Sequence, residues 1–575
     1  MPGRSTTALS HLKTSSMRYT LLIVILLLLS SVWIGGVLIL VRVQKMTSSR
    51  TKADLCCVKR AILQISKYIH HTWTRSALYP NGPRPLPFLG NIISLSKIAR
   101  GGDAELLRIA ARDGDLGMFW LGTKPIAIVN SPQTVKDLLD RRGSIYSSRP
   151  LQKFRMEAWP WRLVITPAGE SFQFLRRIYH QLLSPHYSLR QQKYQDFESQ
   201  VLLKTLLDQP EQFMRSTQSF ATSVILSACY GVRLDQIHHP VVKELYSIWD
   251  SMLIYFQPGS LLIDFVPWLE YLPKFLQPWR RTSSQLRARE LRIYGSLFCA
   301  LKRRIETEGV ADCFGSVLLK IQEQERFDDE RACDILAMLI GAGSDTTSSY
   351  LQTFFKVMAL HPEVVAKAQK EIDRVVGPAR LPGWTDEPSL PYLRAIIKEV
   401  HRWAPIGGLG VPHTATKDDI YNGRLIPAGT VVFPNLPALS RSRMRYDEPE
   451  KFTPERFIAD DQDAATAAVN PDFTKRDHFH YGFGRRLCQG IRMAESNLFI
   501  TVSRVLWGFE IELDPHAPSL DMNAKIAGLV NKPKPYMLSI QCRGPVFEDT
   551  IRRNVDHAST DAVPLSSMTL DVDVY

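Results

Sequence analysis

The chain opens on a short polar segment and then runs from Tyr19 to Val41 without one charged residue, dominated by Leu, Ile and Val. As a helix rising about 1.5 Å per residue, such a run reaches roughly 34 Å, enough to cross a hydrocarbon core. The pattern predicts a single transmembrane helix at 19–41 behind an N-terminal segment, 1–18. A cleaved signal peptide would carry a shorter apolar run of about 7–15 residues. Arg42, Lys45, Arg50, Lys52, Lys59 and Arg60 outweigh Arg4, Lys13 and Arg18, so the bulk of the chain is expected on the cytosolic side. Cys56 and Cys57 beyond the span stay open between lipidation and ordinary thiols.

From Leu55 to Ile69 apolar residues recur at mixed three- and four-residue steps, which suits a helix lying near the membrane. Pro80, Pro83, Pro85 and Pro87 then stiffen an extended hinge, so 42–91 reads as a membrane-proximal helix and a Pro-rich linker. Long amphipathic patterns dominate from about Ala104 to Pro378, with a strand near Ile126 to Val129. Leu425 to Pro434 reads as a turn and a strand, and the Asp-rich stretch from Ile458 to Phe479 as a meander or surface loop. After Arg543 the apolar periodicity fades, which predicts a disordered tail over 544–575. The expected fold is mainly α with small β-sheets, its body at 92–543.

Lys plus Arg number 71 against 57 Asp plus Glu, a net charge of +14. That excess fits an anionic membrane surface or an acidic partner; no nucleic-acid motif accompanies it. The eight cysteines have none of the paired short spacings of zinc or thioredoxin sites, and such usage suits a reducing compartment.

Three segments carry candidate chemistry. In His480-Tyr-Gly-Phe-Gly-Arg-Arg-Leu-Cys-Gln-Gly490, glycines 482, 484 and 490 permit a tight backbone and close approach of a flat group. Cys488 stands just before a helical pattern opening at Ile491, where the helix dipole and Arg486 favour thiolate, a metal ligand. On local grounds a Gly-rich turn with an incidental cysteine stays open. Asp334 to Leu360 is a long apolar helical pattern containing Gly341-Ala-Gly-Ser-Asp-Thr-Thr347, whose glycines and carboxylate violate helix preferences. Either this break is functional, or one helix ends at Gly343 and Asp345 caps the next. Glu399 and Arg402 share a helix face three residues apart, as a core pair or a surface pair.

In that order and spacing the segments resemble the cytochrome P450 family, over about Pro80 to Arg543, and most closely its membrane-bound members from filamentous fungi. The resemblance implies a P450 fold behind the anchor and haem b bound through the Cys488 thiolate. Arg486, Arg176 and His413 would meet the haem propionates, while Tyr481, Gly484 and Gly490 would shape the cysteine loop. Asp345 and Thr346 would handle protons for oxygen activation, with the glycines before them making room for oxygen. Glu399, Arg402 and Arg456 would be structural. Phe172 departs from the family Trp four residues before its arginine, Tyr481 from the usual Phe, and Pro437 from a frequent Trp.

The function so implied is a monooxygenase acting on an apolar small molecule with O2 and with electrons from NADPH–cytochrome P450 reductase. Its setting would be the endoplasmic reticulum membrane, in contact with lipid, and its expected role secondary metabolism, with lipid or xenobiotic oxidation as the other reading. A haem-thiolate isomerase, or a non-catalytic haem sensor or electron carrier, would not need the Asp345–Thr346 pair.

Overall fold

The computed structural model describes residues 78–567, apart from 87–88, 123, 151–152, 236–238, 257–276, 310–311, 478 and 527–529. The expected span at 19–41 lies outside the described residues. Among the described residues no helix is long and apolar enough to cross a membrane. The chain divides into two units, one comprising Met1–Ser76 with Arg84–Gly90, the other Ala77–Pro83 with Asn91–Tyr575. In the first, Leu86 and Gly90 exchange backbone hydrogen bonds of 2.8 Å.

The longer helices of the second unit are α1 (Ile92–Asp113), α2 (Glu170–Leu182), α3 (Gln192–Asp208), α4 (Phe213–Tyr230), α5 (Pro240–Phe256) and α6 (Pro278–Glu308). They continue with α7 (Asp329–Leu360), α8 (Pro362–Val375), α9 (Pro391–Trp403), α10 (Ile491–Gly508) and α11 (Pro545–His557). The strands are short: β1 (Leu116–Leu121), β2 (Lys124–Val129), β3 (Val232–Arg233), β4 (His413–Thr414), β5 (Asp419–Tyr421) and β6 (Arg424–Ile426). Then come β7 (Val431–Pro434), β8 (Phe509–Leu513), β9 (Lys525–Ile526), β10 (Lys532–Pro533), β11 (Leu538–Cys542) and β12 (Val563–Pro564). One sheet has four strands in the order β1-β2-β7-β4, and the others are two-stranded. In the hairpin β1–β2, Leu116 faces Val129, while β2 and β7 run parallel. The expected strands near Ile126 and Val431 are therefore neighbours. Tyr79 to Pro83, read as hinge, belongs to the body: Met118 donates its backbone N–H to Asn81.

Helix α7 is the axis of the core. Asp328 caps it by accepting the Arg331 N–H at 2.8 Å, and Asp329 and Glu330 sit in the first turn, where the helix dipole favours them. Pro362 opens the next helix, and the residue before a proline is disfavoured in helical geometry. Between these ends α7 is continuous through Gly341 and Gly343, which excludes the two-helix alternative. These glycines are packing positions. A Cβ on Gly341 would lie 2.1 Å from the Trp249 ring of α5, and one on Gly343 would lie 2.9 Å from Ile225 of α4.

The C-terminal expectation is also corrected. Pro545 starts helix α11, which buries Thr550 and Ile551 and sets Phe547 edge-on to Trp507 at 5.0 Å. The chain then adds β12 in parallel beside β3. The apolar spacing Phe547, Ile551, Val555 had been too short to register against the charges between.

Candidate functional site

Cys488 lies at the end of a glycine loop that leads directly into α10. Its backbone N–H donates to the Tyr481 carbonyl at 2.8 Å, closing the loop. Gly484 holds φ at +49°, and a Cβ there would strike the Leu139 carbonyl at 2.2 Å, so this glycine lets the loop pack against its own protein. Gly490 has a different environment: a Cβ there would meet only the Cys488 sulfur, at 3.9 Å, with open space beyond.

Burial pushes the Cys488 thiol above its ordinary value, and neither the Gly490 backbone N–H nor the Arg176 charge reverses the shift. The sequence points to Arg486 as the charge that favours thiolate; the structure places Arg176 in that position. Cys488 is nonetheless accessible. A metal ion at the sulfur would displace its proton. Beside the loop a cleft of about 570 Å³ is lined by Phe172, Arg176, Gly484 and Gln489.

Three arginines are buried or half-buried in this region, one of them, Arg176, lining the cleft. Arg486 gives three hydrogen bonds to backbone carbonyls, of Ser147 at 2.7 Å, Leu163 at 3.1 Å and Thr166 at 2.7 Å. Its guanidinium stacks over the ring of Phe172. Arg149, absent from the sequence reading, bonds the carbonyls of Val164, Val411 and Pro412. Arg176 reaches the Leu487 carbonyl at 3.4 Å. Burial depresses the proton affinity of all three, most strongly for Arg149, and Arg486 is brought down to about 9. No carboxylate of the described residues pairs with any of them.

His413 is buried in β4, not solvent-facing. Its Nδ1 lies 2.8 Å from the Tyr146 carbonyl, so Nδ1 carries the hydrogen. Burial, with Arg149 and Arg486 close by, holds the imidazole neutral, well below its ordinary value. A cluster of buried cations without counter-charge is complementary to a dianionic group. Together with an accessible sulfur, these residues fit haem, whose iron takes a thiolate and whose edge carries two carboxylates.

On α7, Thr346 donates its hydroxyl to the Ala342 carbonyl at 2.7 Å and is half-buried. Asp345 is fully buried and pairs with Lys532 of β10 at 2.7 Å. Burial raises its proton affinity, and Lys532 opposes the rise.

The charges Glu399, Arg402 and Arg456 form a buried knot behind the loop. Arg402 grips Glu399 with two hydrogen bonds, of 2.6 and 2.8 Å, and Arg456 and the Thr453 N–H reach the same carboxylate. Tyr481 sends its hydroxyl to Glu495, away from the sulfur. Glu495 in turn lies 3.6 Å from His401, whose ring stacks on His480. Pro437 occupies the first turn of a short helix capped by Asn435, where an N–H is dispensable.

Comparison with known proteins agrees with this geometry. Residues 80–540 match the family described as Cytochrome P450. Cytochrome P450 monooxygenase polD of Polytolypa hystricis is 57% identical, covering 85% of this chain and 95% of its own length. Cytochrome P450 monooxygenase virE of Hypocrea virens is 34% identical, over 84% of this chain and 88% of its own. Cytochrome P450 monooxygenase patI of Aspergillus clavatus is 32% identical, over 87% and 95%. The chain belongs to the cytochrome P450 family. It is a monooxygenase whose cofactor is haem held by a cysteine thiolate.

Proposed function

We propose that this monooxygenase oxidises an apolar small molecule of fungal secondary metabolism, with Cys488 as the iron ligand and NADPH–cytochrome P450 reductase as electron donor. One observation carries the assignment of the site: an accessible cysteine stands at the end of a glycine loop close to buried arginines that have no carboxylate partner among the described residues. Haem, when bound, supplies the activation of O2. Cys488 would ligate its iron, and Arg149, Arg176 and Arg486 would receive its two carboxylates. His413 would join them by taking up a proton as that negative charge arrives. Gly490 leaves space beside the sulfur.

On α7, Thr346 and Asp345 would hold and pass protons. The Thr346 hydrogen is committed to Ala342, so its oxygen is left with lone pairs to accept a hydrogen bond. The uncharged run at 19–41 supports a single-pass anchor in the endoplasmic reticulum, in contact with lipid and with the body in the cytosol. The fungal relatives favour secondary metabolism over lipid or xenobiotic oxidation.

The test is Cys488→Ser. An alcohol cannot replace the thiolate donor, so the reduced protein is expected to lose the red-shifted carbon monoxide band of a haem-thiolate. A normal band in the variant would overturn the ligand assignment.

A further inference from the structure

Lys532 belongs to none of the motifs above, yet it makes the most direct contact with the buried acid of α7. Its ammonium lies 2.7 Å from Asp345 and also 2.7 Å from Asp250 of α5. The three side chains form a gradient from surface to interior: Asp250 is 55% exposed, Lys532 17% and Asp345 1%. Three elements distant in sequence, α5, α7 and β10, thus meet at one nitrogen.

A carboxylate in that position needs a partner, because burial without one costs far more than an exposed pair gains. Lys532 is the cation paired with Asp345. Around the pair stand Tyr246 and Trp249 of α5, Thr222 of α4 and Ser348 of α7 itself. Tyr246 is engaged with Thr222 at 3.1 Å, and Trp249 packs on Gly341. Among these groups the charges are those of Lys532, Asp345 and Asp250.

We propose that Lys532 is the positioning residue for Asp345: one ammonium, shared between two carboxylates, keeps the buried one oriented and ionised and joins it to the surface. The inference rests on the proton-handling role given to Asp345 above. In the resting state Asp345 is a base ready to accept a proton. When solvent supplies one, the ammonium shifts toward Asp250, Asp345 becomes a neutral acid, and it can release that proton toward Thr346. No covalent bond changes and charge is conserved: the proton gained from water is the one passed on.

The two neighbours of Asp345 then act on it in opposite directions. Lys532→Met removes the stabilising cation and should raise the pH at which Asp345 ionises. Asp250→Asn leaves the ammonium wholly to Asp345 and should lower it. Lys532→Arg keeps the charge and should stay near wild type. Infrared titration of the full-length holoprotein reads this directly, as the carbonyl stretch of a protonated carboxyl that is absent from an Asp345→Asn control.

Oxygen reduction by reductase and NADPH, without added substrate, gives a second reading. The share of oxygen leaving as peroxide should rise severalfold in Lys532→Met and return toward wild type in Lys532→Arg. A merely structural lysine would shift the titrations too but would leave peroxide release unchanged. Equal peroxide release in all variants, or midpoints shifting in one direction, would overturn the proposal. If Lys532→Met does not fold, Asp250→Asn against Lys532→Arg still decides by the sign of the shift. An intact carbon monoxide band throughout separates failure here from failure of the haem assignment.

Discussion

The Arg486 guanidinium lies 3.6 Å from the centre of the Phe172 ring, held there by the carbonyls of Ser147, Leu163 and Thr166. The aromatic ring of α2 therefore orients the arginine of the cysteine loop through its face. Phe172→Ala removes that face, worth about 0.5–2 kcal/mol. The haem-to-protein ratio and the thermal midpoint should both fall. Phe172→Trp keeps a stacking face and should hold haem at least as well as wild type.

Thr346→Ala deletes the hydroxyl bonded to Ala342 and touches neither Cys488 nor the arginines. Haem content and the carbon monoxide band should persist. Product per NADPH should fall and peroxide should rise. Full coupling in the variant would remove the proton role from this residue.

Gly341→Ala should destabilise the fold through overpacking. Its new methyl would lie 2.1 Å from the Trp249 ring, a rigid neighbour that cannot swing aside without disturbing α5. The expected cost is about 1–3 kcal/mol by denaturant unfolding. Gly383→Ala is the control: its methyl would meet only the Thr385 hydroxyl, at 3.9 Å, and stability should change little.

His413 predicts a pH dependence in the haem-free protein. Its ordinary value is 6.5, and the folded state holds it well below that. As pH falls through about 6.5 the unfolded chain takes up a proton that the folded chain refuses, so stability decreases with falling pH. His413→Asn should flatten this part of the thermal-midpoint profile. Haem should flatten it too, since carboxylates beside Arg149 and Arg486 would let His413 protonate in place.

The readable parts of this molecule are those whose chemistry is local. Cys488, its glycines and the Ala342–Thr346 segment stand in continuous runs where residue type and spacing already restrict what the backbone can do. Arg149 and Lys532 could not be read that way. Arg149 stands in Ser147-Ser-Arg-Pro150 and Lys532 among lysines and prolines, and both segments are ordinary surface sequence. Their roles arise only when Val411 and Pro412 come to one side chain and Asp345 to the other. The packing of Gly341 against α5 and of Gly343 against α4 is hidden in the sequence for the same reason: it exists only once those helices are in place. The span at 19–41 stays a reading of the sequence alone.

The parallel pairing of Val563–Pro564 with Val232–Arg233 has a consequence for synthesis of the chain. Strand β3 emerges from the ribosome hundreds of residues before its partner is made. Until the last segment is translated, the turn between α4 and α5 lacks the Val563 N–H that bonds Gly231 and the Ser566 that bonds Asp235. Contacts so distant in sequence form late, because the intervening loop must first be ordered. A nascent protein stalled before Ala562 would lack both of these fastenings, Val563 on Gly231 and Ser566 on Asp235.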